Sequence, residues 1–155
     1  MYSQLAYERN LETQVYSASP LELTRMLYRG ALDAIRTARR CLDAGDIEGR
    51  GKAVNRASAI LLELLASLDL QAGGEVAASL SRLYDYAHRR VLAAHLEQQS
   101  APLDEAAALL QTLLEGWEAC ETDQALNPGQ AAPELTSDLS PHLAVQEYGQ
   151  LSYHY

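Results

Sequence analysis

His88 and His95 stand seven residues apart, so on a helix of about 3.6 residues per turn they share one face. An imidazole pair at that spacing could join a metal site or carry a phosphoryl group. A di-iron bundle needs inward carboxylates and Glu-x-x-His pairs on facing helices, and none occurs. Asp85-Tyr86-Ala87-His88 is the nearest approach. Glu63 lies within Leu61-Leu62-Glu63-Leu64-Leu65, but the apolar phase through 57, 61, 64 and 68 points it away. Phosphotransfer bundles usually follow the histidine with a nearby Lys and a small residue, whereas here Arg89-Arg90 and Leu96-Glu97 follow. There is no Gly-x-Ser-x-Gly elbow and no Gly-rich phosphate loop, and neither Cys41 nor Cys120 has a histidine beside it to act as general base. These residues predict no enzyme, no cofactor and no metal, and the histidines read as surface or boundary residues.

The aromatics carry more. The chain has 9 Tyr, 1 Trp and no Phe. Tyr84 and Tyr86 differ by about 200° around a helix, so they cannot both face a core, and one must line a second surface. Tyr28 and the Tyr84/Tyr86 pair fit either of two readings. One is core packing with the hydroxyl at the rim. The other is an aromatic-lined groove for an amphipathic partner helix.

Four helices must position these residues. Ser19-Pro20-Leu21-Glu22 is a helix start: Ser caps, Pro suits the first position, and Glu can reach back to the cap. This first helix is expected to stop at Gly45, with a stripe of Leu23, Leu27, Ala31, Ala34, Ala38 and Cys41 or Leu42. Asp46 caps a second helix to about Leu70 with a stripe of Val54, Ala57, Leu61, Leu64 and Leu68. Ile60, Leu62 and Leu65 make it apolar over most of its circumference, so it is central or offers a groove. Ile60 reads as groove and Leu64 as core. After Gly73-Gly74 a third helix runs to about Gln99 on Val76, Leu80, Leu83, Ala87, Val91 and Ala94. Pro102 opens a fourth, on Leu103, Ala106, Leu110, Leu113, Trp117 and Cys120. Short connections force antiparallel neighbours, so the expected fold is all-α, an up-down-up-down four-helix bundle. Residues 1–18 read as an irregular N-terminal segment, and residues 122–155, with Pro128, Pro133 and Pro141, as a flexible tail.

Composition sets the outer bounds. The chain of 155 residues is 48% hydrophobic and 21% charged, enough for one globular domain. A net charge of −9 argues against nucleic acid as a partner. No apolar run approaches the roughly 20 residues of a membrane span, and the N-terminus does not read as a cleaved signal. Two cysteines make no disulfide framework. Together these place the protein in the cytoplasm. Residues 19–43 carry five Arg against three acids, while residues 102–121 carry five acids and no base. The acidic run reads first as a solvated face, although opposite signs can help fix packing.

One set of residues is more specific. Tyr7 and Asn10 precede Ser19-Pro20-Leu21-Glu22-Leu23, then Met26-Leu27-Tyr28-Arg29-Gly30-Ala31. Farther on come Leu64-Leu65-Ala66-Ser67-Leu68-Asp69, Gly73-Gly74-Glu75, Leu83-Tyr84-Asp85-Tyr86 with Arg89-Arg90, and Trp117. In this order, over about residues 1–121, the chain resembles the FliS family of flagellar export chaperones. It differs at Arg29, where the family usually has Asp, and at His95, where Asn is common. The resemblance implies a cytoplasmic chaperone that binds the disordered C-terminal segment of flagellin. It implies further that the chaperone prevents early polymerisation and aids delivery to the export gate, through folding coupled to binding. It also implies that residues 1–18 cover part of the groove when flagellin is absent. The expected partner-binding residues are Tyr7, Asn10, Leu23, Tyr28, Ile60, Leu64, Tyr84 and Tyr86. An exposed apolar groove also permits weak self-association. The alternatives are a generic docking bundle or a chaperone for another secreted client, a histidine phosphotransfer domain, and a tail that folds back over the groove.

Overall fold

The computed structural model describes residues 2–126, and among these it contains five α-helices and no strand. They are α1 (Tyr2–Ser17), α2 (Pro20–Ala44), α3 (Ile47–Ala66), α4 (Gly74–Glu97) and α5 (Ala101–Leu126). Helices α2 to α5 close a ring of packed neighbours, α2 on α3, α3 on α4, α4 on α5, and α5 back on α2. Arg25 near the start of α2 pairs with Glu121 late in α5, and Arg39 near the end of α2 pairs with Asp104 at the start of α5. These two helices therefore run antiparallel.

The helix boundaries follow local chemistry. The Ser19 hydroxyl accepts the Glu22 amide at 3.2 Å, with Pro20 in the first turn. Gly45 ends α2 at φ +70°, a left-handed geometry that suits a residue without Cβ. Asp46 then caps α3 by accepting the Gly49 amide at 2.9 Å. A Cβ at Gly49 would collide with that capping carboxylate, so this glycine, although a poor helix former, makes room for the cap. Helix α3 ends at Ala66 rather than near Leu70. The Asp69 side chain accepts the amides of Gln71 and Ala72 at 2.9 and 3.0 Å, which folds the segment into a turn.

The core is built from facing stripes of small and large residues, among them Ala31, Ala34, Ala38, Ala57, Ala87, Ala94 and Ala106 against Leu32, Ile35, Leu61, Val91 and Leu110. Several expected positions shift. Leu23 is half-buried, and the inner face of α2 turns toward Thr24 and Tyr28. Val76 is exposed while Ala77 and Tyr84 are buried. In α5 the stripe steps by four from Ala106 to Leu110 and Leu114, leaving Leu113 half-buried and Cys120 exposed. A strict alternation of three and four drifts off the face of a helix with a slightly longer repeat.

Two further expectations are corrected. The segment read as irregular is the helix α1, and its side chains from Leu5 to Gln14 are exposed. Helix α5 also continues past Glu121 to Leu126, into the segment read as a tail. Residues 127–155, and with them the rest of the expected tail, lie outside the described residues.

The face assignment of α3 changes as well. Ile60 is 4% exposed and Leu64 1%, so both belong to the core, and Leu62, at 48%, is the outward leucine. Ile60→Asp and Leu64→Asp should therefore behave alike, each burying a charge without a partner and abolishing the cooperative melt followed by circular dichroism. Ile60→Ala should cost about 2–5 kcal/mol and Leu62→Ala only about 0.5 kcal/mol. A mild Ile60→Asp phenotype would refute this placement.

Candidate functional site

Tyr28 on α2 is fully buried, and its ring meets Tyr84 of α4 edge to face, with centroids 6.0 Å apart and planes at 62°. The two hydroxyl oxygens are 2.5 Å apart, and Trp117 of α5 donates its indole N–H to the Tyr28 hydroxyl at 3.0 Å. Indole nitrogen only donates, so the Tyr28 oxygen accepts from Trp117 while a single proton bridges the two tyrosines. Burial pushes both hydroxyls above their ordinary value of 10.0, against the hydrogen bonds that favour ionised Tyr28. Neither serves as a base or nucleophile near neutrality, and the group ties three helices together.

Tyr86, on the opposite side of α4, is 40% exposed and donates to Glu105 of α5. Arg90 reaches the other Glu105 oxygen at 2.6 Å. The bond from Tyr86 holds the Glu105 carboxyl below its usual value and raises the Tyr86 hydroxyl. The sequence requirement that one of Tyr84 and Tyr86 face outward is thus met by Tyr86.

The acids of α5 do not form a bare solvated face. Glu121 pairs with Arg25, Glu118 with Arg29 at 2.9 Å, Asp104 with Arg39, and Glu105 with Arg90. The positive run of α2 and the negative run of α5 meet along their seam. Each exposed pair contributes little, typically below about 1 kcal/mol, but the set fixes which helix lies beside which.

Of the eight expected partner-binding residues, Tyr28, Ile60, Leu64 and Tyr84 are enclosed by the core, and Leu23 is half-buried. Tyr7, Asn10 and Tyr86 are reachable from solvent. Large apolar side chains that sequence reasoning did not select are also exposed: Leu62 on α3, and Val76, Leu92 and Leu96 on α4. Helices α3 and α4 are packed neighbours; on α4, Leu92 and Leu96 share a face, while Val76 lies about 200° from Leu96 around the helix. For Leu62 the signal is the apolar excess around the second expected helix; Leu92 and Leu96 have no comparable signal. Arg50 was missed too: it falls in phase with Val54, Ala57 and Leu61, a core position held by a cation. Among the described residues no cluster of three His, Cys, Asp or Glu is placed to hold a metal ion, and no helix is long and apolar enough to cross a membrane.

A family model described as flagellar protein FliS matches residues 2–124. The flagellar secretion chaperone FliS of Salmonella typhimurium is 41% identical over 109 residues, covering 70% of this chain and 81% of that protein. The Campylobacter jejuni FliS is 37% identical over 117 residues, covering 76% and 91%. The FliSB protein of Pseudomonas aeruginosa is 33% identical over 122 residues, covering 76% and 97%.

The tyrosine tie yields two expectations. Tyr28→Phe strands the Trp117 N–H and the Tyr84 hydroxyl, at about 1–3 kcal/mol for each orphaned group, whereas Tyr84→Phe leaves the Trp117 bond intact and costs about 1 kcal/mol. Urea unfolding should rank Tyr28→Phe as clearly the more damaging, and equal losses would remove Tyr28 from the centre of the tie. Because both hydroxyls are raised in the folded state, their contribution is complete below the unfolded value near 10 and is lost as pH rises above it. The stability gap between wild type and the Tyr28→Phe/Tyr84→Phe double variant should stay constant up to about pH 9 and narrow as pH rises past about 10.

Proposed function

The chain belongs to the FliS family of flagellar secretion chaperones, and from that premise we propose that it binds the disordered C-terminal segment of flagellin in the cytoplasm. In this reading it holds the segment back from polymerising and presents it to the flagellar export gate. The observation that carries the proposal is the set of apolar side chains left outside a closed core. Leu62 on α3 and Leu92 and Leu96 on the adjacent helix α4 project outside the core. An amphipathic segment that gains helix on contact covers such a surface with apolar anchors three and four residues apart. The same exposure permits weak self-association of the free protein.

The up-down-up-down alternation of α2 to α5 belongs to this proposal. It is supported by the antiparallel Arg25–Glu121 and Arg39–Asp104 pairs, and by Arg50 early in α3 reaching His95 late in α4. Helix α1, with Leu5, Tyr7 and Leu11 exposed, is a ready competitor for the same surface. We assign it the covering role when no client is bound.

Calorimetric titration with a peptide of about forty residues from the C-terminus of the cognate flagellin tests the reading. A one-to-one isotherm with a clearly negative heat-capacity change is expected, because apolar burial and coupled folding both produce it. Leu62→Asp and Leu92→Asp should weaken that binding roughly tenfold or more while leaving the melting temperature nearly unchanged. No heat of binding from a demonstrably folded protein would reject flagellin as the client. Unaltered affinity in both variants would move the client to another face.

A further inference from the structure

We propose that the cleft at the end of the bundle where the α2–α3 and α4–α5 turns meet is a binding site for a single carboxylate, anchored by Arg50. The cleft is open to solvent, about 440 Å³ in volume, and lined by Leu42, Ile47, Arg50, Gln98, Gln99 and Ser100, with Asp43 and Gly45 at its edge. Its walls are held by the left-handed residues Gly45 and Gln98, each of which ends a helix with its amide bonded back to the last turn.

Arg50 is 6% exposed. Its Nε donates to Nδ1 of His95 at 3.3 Å, no carboxylate pairs with it among the described residues, and its terminal nitrogens are not among the side-chain atoms shut off from solvent without a partner. The side chain is largely buried but lines the open cleft, and the planar fork of a guanidinium matches the two oxygens of a carboxylate. The chain is otherwise strongly acidic, at −9, so this buried cation is a local exception to the overall field.

Charge and surroundings select the class of ligand. One uncompensated cation balances one negative charge. Asp43 at the edge, whose side chain is 63% exposed and lies 3.6 Å from Arg39, opposes a second. A dianionic phosphate is therefore disfavoured. Leu42 is half-buried and Ile47 is 69% exposed, so apolar surface stands beside the cation. The ligand that fits is a carboxylate next to an aliphatic group, as at an acidic or chain-terminal position of a peptide.

The test is an amide-resolved NMR titration of the full chain with N-acetyl-leucine, N-acetyl-leucine amide and inorganic phosphate. The proposal expects saturable shifts at Gly45, Arg50, Gln99 and Ser100 with N-acetyl-leucine, and affinity at least roughly tenfold weaker for the uncharged amide. It also expects loss of those shifts in Arg50→Met. Equal binding of the amide, shifts that persist in a folded Arg50→Met, or no saturable shift at these residues would overturn it. Tighter binding of phosphate at the same residues would overturn the carboxylate assignment. If Arg50→Met fails to fold, the contrast between acid and amide in the wild type still decides.

Discussion

The hydrogen-bonded group of Tyr28, Tyr84 and Trp117 is the constraint on which the bundle depends. Aliphatic stripes can slide by a turn at modest cost, because most hydrophobic contacts are interchangeable. A buried hydroxyl pair and an indole N–H cannot, since any register that separates them leaves polar groups without partners. One helix contributes each residue, so a single satisfied cluster sets the relative heights of α2, α4 and α5. The alanines along the inner faces then allow the backbones to approach, and the charged seam between α2 and α5 selects the neighbour.

Much of this could be read in the sequence, and the failures have physical causes. The starts at Ser19 and Asp46 and the stop at Gly45 were legible because caps are local chemistry. The end of α3 was misplaced because Leu68 and Leu70 continue the apolar pattern, while the Asp69 side chain captures the following amides and turns the chain. The angular argument for Tyr84 and Tyr86 held because it rests on helix geometry alone. Ile60 was not legible as a core residue because a helix with apolar residues over most of its circumference does not declare which of them face its neighbours. Only the partner helices decide that, and they chose Ile60 for the inside and Leu62 for the outside.

Charge was legible in amount but not in placement. A run of five acids looks the same whether it faces water or a row of arginines, and only the antiparallel pairing of α2 with α5 brings the two runs together. Helix α1 shows the opposite case. Its scattered polar residues show no clear period, and among its described side chains none is buried to reveal one. Arg50 lay in plain view within an apolar phase, and a cation at such a position signals a local need that a hydrophobic side chain would not meet.

The ring of helices has a consequence for synthesis. Three of its four seams join helices adjacent in the chain, and these can form as each helix leaves the ribosome. The fourth joins α2 to α5, the first and last members of the ring, and the Trp117 donor also arrives with α5. Until nearly all of the folded region has been translated, the Tyr28 and Tyr84 hydroxyls lack their third partner and the inner face of α2 stays open on one side. An incomplete chain, whether truncated or stalled, thus exposes an apolar trough where the finished protein has a core. The last helix to be made is also the one that ends that exposure.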